Sequence, residues 1–206
     1  MTKNFAINDL LPYIDWRYFY HAWQIDAAPE DVKENLKSEA MEVLREWQKT
    51  KVVRTLWQKT KVLAGADKDE IVTDPIRFHC PRQNHAPFLS LADYAKIGSE
   101  ITFFATTFNE IVIDDVFDQM LQQTLADRLS EAASENLSQE WARDDGGLAF
   151  AVGYPSLPDQ SLIFDFDRVL NLSQIGIRLT ETGMMIPHAS VCAVFVPGKN
   201  VKYFSV

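Results

Sequence analysis

The chain is poor in cysteine and has no long apolar run. Its two cysteines, Cys80 and Cys192, lie far apart, and Met1 to Asn4 lead into no apolar stretch of the kind that directs secretion. We therefore expect a reducing, cytoplasmic compartment. No segment approaches the roughly 18 to 20 apolar residues that a membrane-spanning helix needs, so we expect a soluble protein without a membrane partner.

Basic side chains are also scarce. The sequence has 20 Lys and Arg residues against 29 Asp and Glu residues, which gives a formal net charge of -9. Affinity for nucleic acid rests largely on neutralising phosphates with Lys and Arg, so nucleic acid is not an expected partner. Hydrophobic residues make up 47% of the chain and aromatic residues 12%, which is typical of a globular protein. The length favours one sizeable core, and we expect residues 1–206 to form a single domain.

Sequence motifs of the common enzyme classes are missing as well. The chain has no Gly-rich phosphate loop, no nucleophile elbow and no zinc-protease helix. His79, Cys80 and His85 come nearest to a metal cluster, but zinc sites usually draw on four ligands and no second pair follows. We expect no metal site.

Two helices are predicted in the first fifty residues. Apolar side chains at helical spacing indicate one helix from about Asn8 to Gln24 and another from about Pro29 to Gln48. Asp15 falls inside the first helix, among aromatic residues. A carboxylate there is costly unless a cation or hydrogen-bond donors meet it, although a position at the solvent edge is the simpler interpretation.

An identical hexapeptide occurs twice, at Trp47–Val52 and at Trp57–Val62. A duplication this short does not build a repeat fold, for which periods of 20 residues or more are usual. The favoured interpretation is a solvated helix face with two anchored tryptophans, and a basic patch for an acidic partner is the alternative.

The rest of the chain predicts an α+β fold. We expect a loop region with short strands over 67–98, a strand at Glu100–Thr107, a long helix from Ile113 to about Leu137 and a short helix at Ser161–Leu170. Three further strands, which should pair antiparallel, are expected at Ile177–Thr180, Ala189–Val196 and Val201–Val206. Strands and helices do not alternate regularly, which favours a mixed or antiparallel sheet flanked by helices.

Five blocks of sequence stand out together and in a fixed order. They are Tyr13-Ile14-Asp15-Trp16, Leu91-Ala92-Asp93-Tyr94, Leu125–Glu131, Gly153-Tyr154-Pro155-Ser156-Leu157-Pro158-Asp159, and Gly176–Val191 leading to Lys202-Tyr203-Phe204. In residue content and order they resemble the successive signatures of the reactivation domain of cobalamin-dependent methionine synthase. The resemblance runs from Tyr13 to Phe204 and implies a twisted, mostly antiparallel sheet flanked by helices.

The resemblance also implies that a shallow groove holds S-adenosylmethionine. It assigns ligand contacts to six positions: Asp15, Glu131, Ala151, Gly153, Tyr154 and Tyr203. Two carboxylates suit a ligand that carries an ammonium and a sulfonium, because opposite charges at short range attract in a partly desolvated groove. The backbone near Gly153 is expected to approach the ligand, where a Cβ would obstruct it.

Three positions depart from the family pattern. Ala149 stands where the family has an arginine that holds the ligand carboxylate with a bidentate fork. This loss costs on the order of 1.5 to 3 kcal/mol, or about ten- to a hundredfold in affinity, unless Arg143 folds back through the glycines that follow it and replaces the missing group. Phe204 replaces a second tyrosine, and His188 replaces a small residue and is expected at the surface or in packing.

The function that the resemblance implies is support of the reductive remethylation of cobalamin. No Asp-x-His-x-x-Gly signature for cobalamin occurs in the sequence, so the cobalamin is expected on a separate methionine synthase or related corrinoid methyltransferase, with a flavodoxin-like reductant. The alternative is a non-enzymatic docking or capping subunit that has lost S-adenosylmethionine binding. A methyltransferase acting on a small molecule is a third hypothesis, supported by the ligand alone.

Overall fold

A computed structural model describes residues 1–63 and 69–206 of the chain. Its helices are α1 (Ile7–Leu10), α2 (Trp16–Ala22), α3 (Glu30–Trp47), α4 (Val116–Ala142) and α5 (Leu162–Leu170). Its strands are β1 (Thr2–Ala6), β2 (Val52–Lys61), β3 (Glu70–Val72), β4 (Arg77–His79), β5 (Glu100–Thr107), β6 (Gly147–Ala151), β7 (Arg178–Leu179), β8 (Met185–Ile186) and β9 (Ser190–Pro197).

The main sheet has five strands in the order β1-β2-β5-β9-β6, and each neighbouring pair is antiparallel. Strands β3 and β4 form one small antiparallel pair, and β7 and β8 form another. This is the α+β fold with a mostly antiparallel sheet that the sequence predicts.

Hydrophobic residues cover both faces of the main sheet. Phe103 and Phe104 are neighbours on β5, so their side chains point to opposite faces. Phe103 packs edge-on against Phe166 of α5, whereas Phe104 packs edge-on against Trp141 of α4. Both phenylalanines are fully buried, and each belongs to a separate core cluster. The result is a three-layer domain, with α1 to α4 on one side of the sheet and α5 on the other.

The long helix α4 is fixed to the sheet near its middle. The Thr106 hydroxyl on β5 donates to the Ser130 carbonyl at 2.8 Å, and the Ser130 hydroxyl donates to the Ala189 carbonyl at 2.7 Å. All of these groups are buried, so each polar atom needs a partner inside the protein. Because Glu131 follows Ser130 directly, these bonds also determine where its carboxylate lies.

The helix predicted from Asn8 to Gln24 is broken into three parts, and this prediction is wrong in detail. Its first residues form α1, a 3-10 turn follows at Leu11–Tyr13, and α2 begins only at Trp16. Pro12 has no N–H and its ring crowds the preceding turn, so it favours a break in the helix. Asp15 is therefore the residue that caps α2 and is not in a helix interior.

The second copy of the hexapeptide also differs from the prediction. Trp47 ends α3 and is buried, but Trp57 lies in strand β2, which pairs with β1 and β5. Trp57 packs against Trp141 of α4. The first copy thus begins at a helix end, whereas the first five residues of the second copy lie in a strand, because tertiary pairing overrides a weak local preference.

Of the three strands predicted near the end of the chain, one lies in the main sheet as expected. This is Ala189–Val196, which corresponds to β9. The run Ile177–Thr180 contributes only β7, paired with β8, and Val201–Val206 forms no strand. The last segment instead bonds through individual groups, since Ser156 donates to the Phe204 carbonyl and Gln83 donates to the Ser205 carbonyl. The closeness of these three segments in the sequence therefore did not make them pair with one another.

The other predicted elements are all present, but α4 begins three residues later and ends five residues later than predicted. Observed α3, β5 and α5 match the expected bounds within one or two residues, and β3 and β4 are the short strands expected in the loop region. The first two residues of that region, Asp67 and Lys68, lie outside the described residues. Strands β1, β2, β6 and β8 were not predicted. No helix in residues 1–63 and 69–206 is both long and apolar enough to cross a membrane.

Candidate functional site

A cleft of about 750 Å³ lies between the start of α2, the middle of α4, strand β6 and the last residues of the chain. Asp15 and Glu131, which are 116 positions apart in the sequence, both line it. Ala151, Tyr154 and Tyr203 line it as well. Five of the six predicted site residues thus share one cleft, and Gly153 directly precedes Tyr154 in the chain.

Asp15 is placed by its role as the N-cap of α2. Its Oδ1 accepts the backbone N–H of Arg17 at 2.9 Å, which satisfies a free donor at the helix start. The same carboxylate accepts two bonds from the Arg17 guanidinium. These bonds to Arg17 hold the pKa of Asp15 below its ordinary value, so the group is ionised at neutral pH.

Glu131 lies in a less solvated part of the cleft. Burial raises the pKa of its carboxyl, and the nearby charges of Asp127 and Asp15 add to this effect. Arg128 opposes it with a bidentate pair, at 2.7 Å from Nη1 to Oε2 and 2.9 Å from Nη2 to Oε1. The carboxyl therefore ionises less readily than an exposed glutamate, and a cation in the cleft would favour its charged form.

The segment after β6 turns sharply beside the cleft. Gly153 has φ +85°, a backbone conformation that glycine adopts without strain. A Cβ at this position would meet no atom of the protein within 4 Å, so the fold requires glycine for its backbone angle rather than for space. The Gly153 N–H is already donated to the Leu157 carbonyl at 2.9 Å. Tyr154 follows directly and is more than half exposed, and partial desolvation of this residue raises the pKa of its hydroxyl.

Tyr203 brings the end of the chain to the cleft. Its hydroxyl donates to the Ala149 carbonyl at 2.7 Å, and its ring packs against Phe150. Burial raises the pKa of Tyr203, so the hydroxyl remains protonated at neutral pH. Phe204 also lines the cleft and contacts Phe150. The aromatic wall is therefore assembled from β6 and the chain end together.

Arg143 does not replace the arginine missing at position 149, contrary to one sequence-based hypothesis. Ala149 lines the cleft, but Arg143 lines a different depression together with Lys3, Asp9 and Glu140. Arg143 is the C-cap of α4, and Gly146 bonds to the Ala142 carbonyl to close that helix end. The turn at Gly146 and Gly147 leads the chain into β6 rather than folding Arg143 back over it.

Sequence reasoning missed several residues of the cleft, among them Arg17, Tyr18 and Glu135. A signal for two of them was present. Arg17 is two positions after Asp15 and so shares its helix start, and Glu135 is one helical turn after Glu131. Tyr18 is 59% exposed, and its ring centroid lies 5.7 Å from the Arg128 guanidinium carbon.

A second depression adjoins the cleft and shares Glu131, Ala151 and Tyr154 with it. His188 lines this depression at the surface, where its Nδ1 lies 3.4 Å from an Asp127 carboxylate oxygen. His188 is thus a surface histidine. In the described part of the chain, no three His, Cys, Asp or Glu side chains are grouped so that they could hold a metal ion.

The fold and the cleft define an α+β domain with an acidic, aromatic-walled groove. The sequence profile of the family described as the vitamin B12 dependent methionine synthase activation domain matches residues 6–147 and 145–206. The chain belongs to this family. A solved structure described as the MetH reactivation domain bound to AdoHcy is similar in fold, with a TM-score of 0.85 and 22% sequence identity, over 100% of this chain and 80% of that chain.

Proposed function

We propose that the cleft binds S-adenosylmethionine and that the protein thereby supports the reductive remethylation of cobalamin on a partner. The observation that carries the proposal is the convergence of Asp15 and Glu131, from different helices, on one cleft beside Tyr154 and Tyr203. Two of the contacts that the family resemblance assigns are carboxylates, and the structure brings both to the same surface.

The chemistry of the lining suits a ligand with more positive than negative charge. Asp15, Glu131 and Glu135 contribute three carboxylates, while Arg17 contributes one guanidinium. S-adenosylmethionine carries a sulfonium, an ammonium and one carboxylate, so its net charge complements the cleft. The Tyr154 and Tyr203 rings provide aromatic faces, which attract cations.

The protein's part in the reaction is to bind and orient. Asp15 is fixed by its bonds to Arg17, and Glu131 by its pair with Arg128, so both acceptors are positioned before a ligand arrives. Bound S-adenosylmethionine supplies the methyl group, and the electron comes from a separate, flavodoxin-like reductant.

We propose a cobalamin-binding methionine synthase polypeptide as the partner. The family to which the chain belongs supports a partner of this kind. The cytoplasm is the compartment that we propose, because Cys80 and Cys192 are both free and buried, as expected in a reducing environment.

The ligand part of the proposal is tested by calorimetric titration of the purified protein with S-adenosylmethionine. We expect saturable binding in the wild type and at least a tenfold loss in Asp15→Asn, which keeps a capping side chain but removes the charge. His188→Ala, at the edge of the adjoining depression, is the control and should bind like the wild type. No heat or spectral change at millimolar ligand would refute this part.

A second candidate function is a non-enzymatic docking or capping subunit that no longer binds the ligand. Ala149 favours it, because the cleft wall has no guanidinium at that position. The two candidates separate when the protein is mixed with an oxidised cobalamin-dependent methyltransferase. Only the first predicts that S-adenosylmethionine and a reductant together restore methyl transfer, and that the wild type exceeds Asp15→Asn in doing so.

A further inference from the structure

The cleft contains three carboxylates but, at position 149, no cation for the carboxylate of an amino-acid ligand. A ligand carboxylate placed among Asp15, Glu131 and Glu135 would be repelled. The proposed ligand therefore needs a basic group elsewhere in the cleft, and the structure offers three arginines to consider: Arg143, Arg128 and Arg17.

Two of these arginines are not available to bind the ligand carboxylate. Arg143 lines the separate depression beside Lys3 and Glu140. Arg128 is mostly buried, with 15% of its side chain exposed, and both of its terminal nitrogens bond to Glu131. Freeing Arg128 would leave the partly buried Glu131 without its counter-charge, and the Arg128 guanidinium, which is itself mostly buried, without its bidentate partner, which is unfavourable.

Arg17 has the opposite properties. Its side chain is 88% exposed, it lines the cleft together with Ala149, and it is the one basic residue of that lining within residues 1–63 and 69–206. Its guanidinium reaches back to Asp15, with Nε 3.0 Å from Oδ1. An exposed ion pair of this kind contributes little to stability, so a ligand can exchange it without a large penalty.

We propose that Arg17 binds the ligand carboxylate, and that Asp15 and Arg17 together recognise the α-amino-acid end of the ligand. An α-amino acid carries its ammonium and its carboxylate on one carbon. Asp15 is a negatively charged hydrogen-bond acceptor and Arg17 a positively charged donor, and they lie side by side at the start of α2. This arrangement complements the ammonium and carboxylate of an α-amino acid. Arginine suits the task because its planar fork donates two parallel bonds to a carboxylate.

This inference rests on the proposed function and deepens it. It moves the carboxylate contact from strand β6, where Ala149 now stands, to the first turn of α2. It also gives the Asp15–Arg17 pair a purpose in the absence of ligand, since the pair holds the guanidinium at the cleft rim.

The test compares S-adenosylmethionine with its decarboxylated analogue, which keeps the sulfonium and the amine but lacks the carboxylate. For the wild type we expect the analogue to bind about ten- to a hundredfold more weakly than S-adenosylmethionine. Arg17→Ala should lose a similar factor for S-adenosylmethionine and almost nothing for the analogue. Asp15 keeps its capping bond in this variant, because the donor is the backbone N–H of residue 17.

Two further variants complete the design. Arg143→Ala, which removes an arginine from the other depression, should leave both affinities unchanged. Adding Ala149→Arg to Arg17→Ala should restore at least part of the affinity for S-adenosylmethionine, because a guanidinium returns to the same cleft. Thermal unfolding of every variant checks that the fold is intact.

The outcomes distinguish the inference from the function on which it rests. If the wild type binds neither compound, the proposed function fails. If the wild type binds S-adenosylmethionine but Arg17→Ala binds it equally well, the function stands and the role of Arg17 is wrong. An equal loss for both compounds in Arg17→Ala would also overturn the inference, because it would show that Arg17 does not act on the carboxylate.

Discussion

At the scale of single residues, the two carboxylates of the cleft differ in environment. The bonds from Arg17 lower the pKa of Asp15, whereas burial raises the pKa of Glu131. Asp15 is therefore charged throughout the neutral and mildly acidic range, and Glu131 is the group that changes its charge as the solution becomes acidic. Of these two carboxylates, Glu131 is therefore the one that we expect to make ligand binding depend on pH.

We predict that affinity for S-adenosylmethionine weakens as the pH falls from neutral through the raised pKa of Glu131. In the free protein, Glu131 binds a proton more tightly than an exposed glutamate does. A bound cation lowers the pKa of Glu131, so binding of the ligand releases protons. Affinity should therefore rise with pH until Glu131 is fully ionised, and then become constant. Titration calorimetry at several pH values measures this profile.

Glu131→Gln provides the comparison for this prediction. The amide has no charge to lose, so its weaker binding should not vary over the same pH window. A pH profile in Glu131→Gln that matches the wild type would assign the titration to another group.

The sequence predicts this acidic pair but not its basic partner. The resemblance placed Asp15 and Glu131 at a common ligand, and the structure brings both to one cleft. Arg143 was considered because it is close to Ala149 along the chain, but the helix end at Arg143 and the direction of β6 separate them in space. Distance along the chain is a poor guide to distance across a sheet.

At the scale of elements, patterns within one segment were predicted better than contacts between segments. The periodicity of α3 and α5 and the β-branched, aromatic content of β5 identify them correctly, because each signal is local. The pairing of β9 with β5 and β6 depends on residues more than forty positions away. The short edge strand β1 lacks such a local signal and was missed.

The attachment of α4 to the sheet yields a prediction at this scale. Ser130→Ala should lower the free energy of unfolding by about 1 kcal/mol. The loss is moderate because the Ala189 carbonyl, which accepts from Ser130, also accepts the Phe108 N–H at 2.9 Å and so keeps one partner. Urea unfolding should show a lower midpoint with an unchanged slope.

Ser134→Ala is the matched control for this prediction. Ser134 is also on α4 and is partly buried, and no side-chain bond joins it to the sheet among the described residues. We expect its midpoint to change little, within about 0.5 kcal/mol. Equal losses in the two variants would show that the bond from Ser130 to Ala189 does not stabilise the fold.

At the scale of the whole molecule, the sheet separates two hydrophobic cores, and most residues that line the cleft lie on the α4 side of the sheet. Phe166 of α5 belongs to the other core, where it packs edge-on against Phe78 and Phe103. It is fully buried, so truncation leaves a cavity as well as removing apolar contacts.

We predict that Phe166→Ala lowers the free energy of unfolding by about 3 to 5 kcal/mol. At a temperature where the variant remains folded, its affinity for S-adenosylmethionine should equal that of the wild type. Phe164→Ala, on the same helix but 38% exposed, should cost much less. Thermal unfolding and calorimetric titration of both variants measure these effects, and a large loss of affinity in folded Phe166→Ala would show that the two cores are coupled.

The cleft is assembled from Asp15 near one end of the sequence, Glu131 in the middle, and Tyr203 near the other end. During synthesis on the ribosome, its walls cannot meet until translation has passed Tyr203. A ligand that needs all of these groups is therefore unable to guide the folding of the segments made before that point.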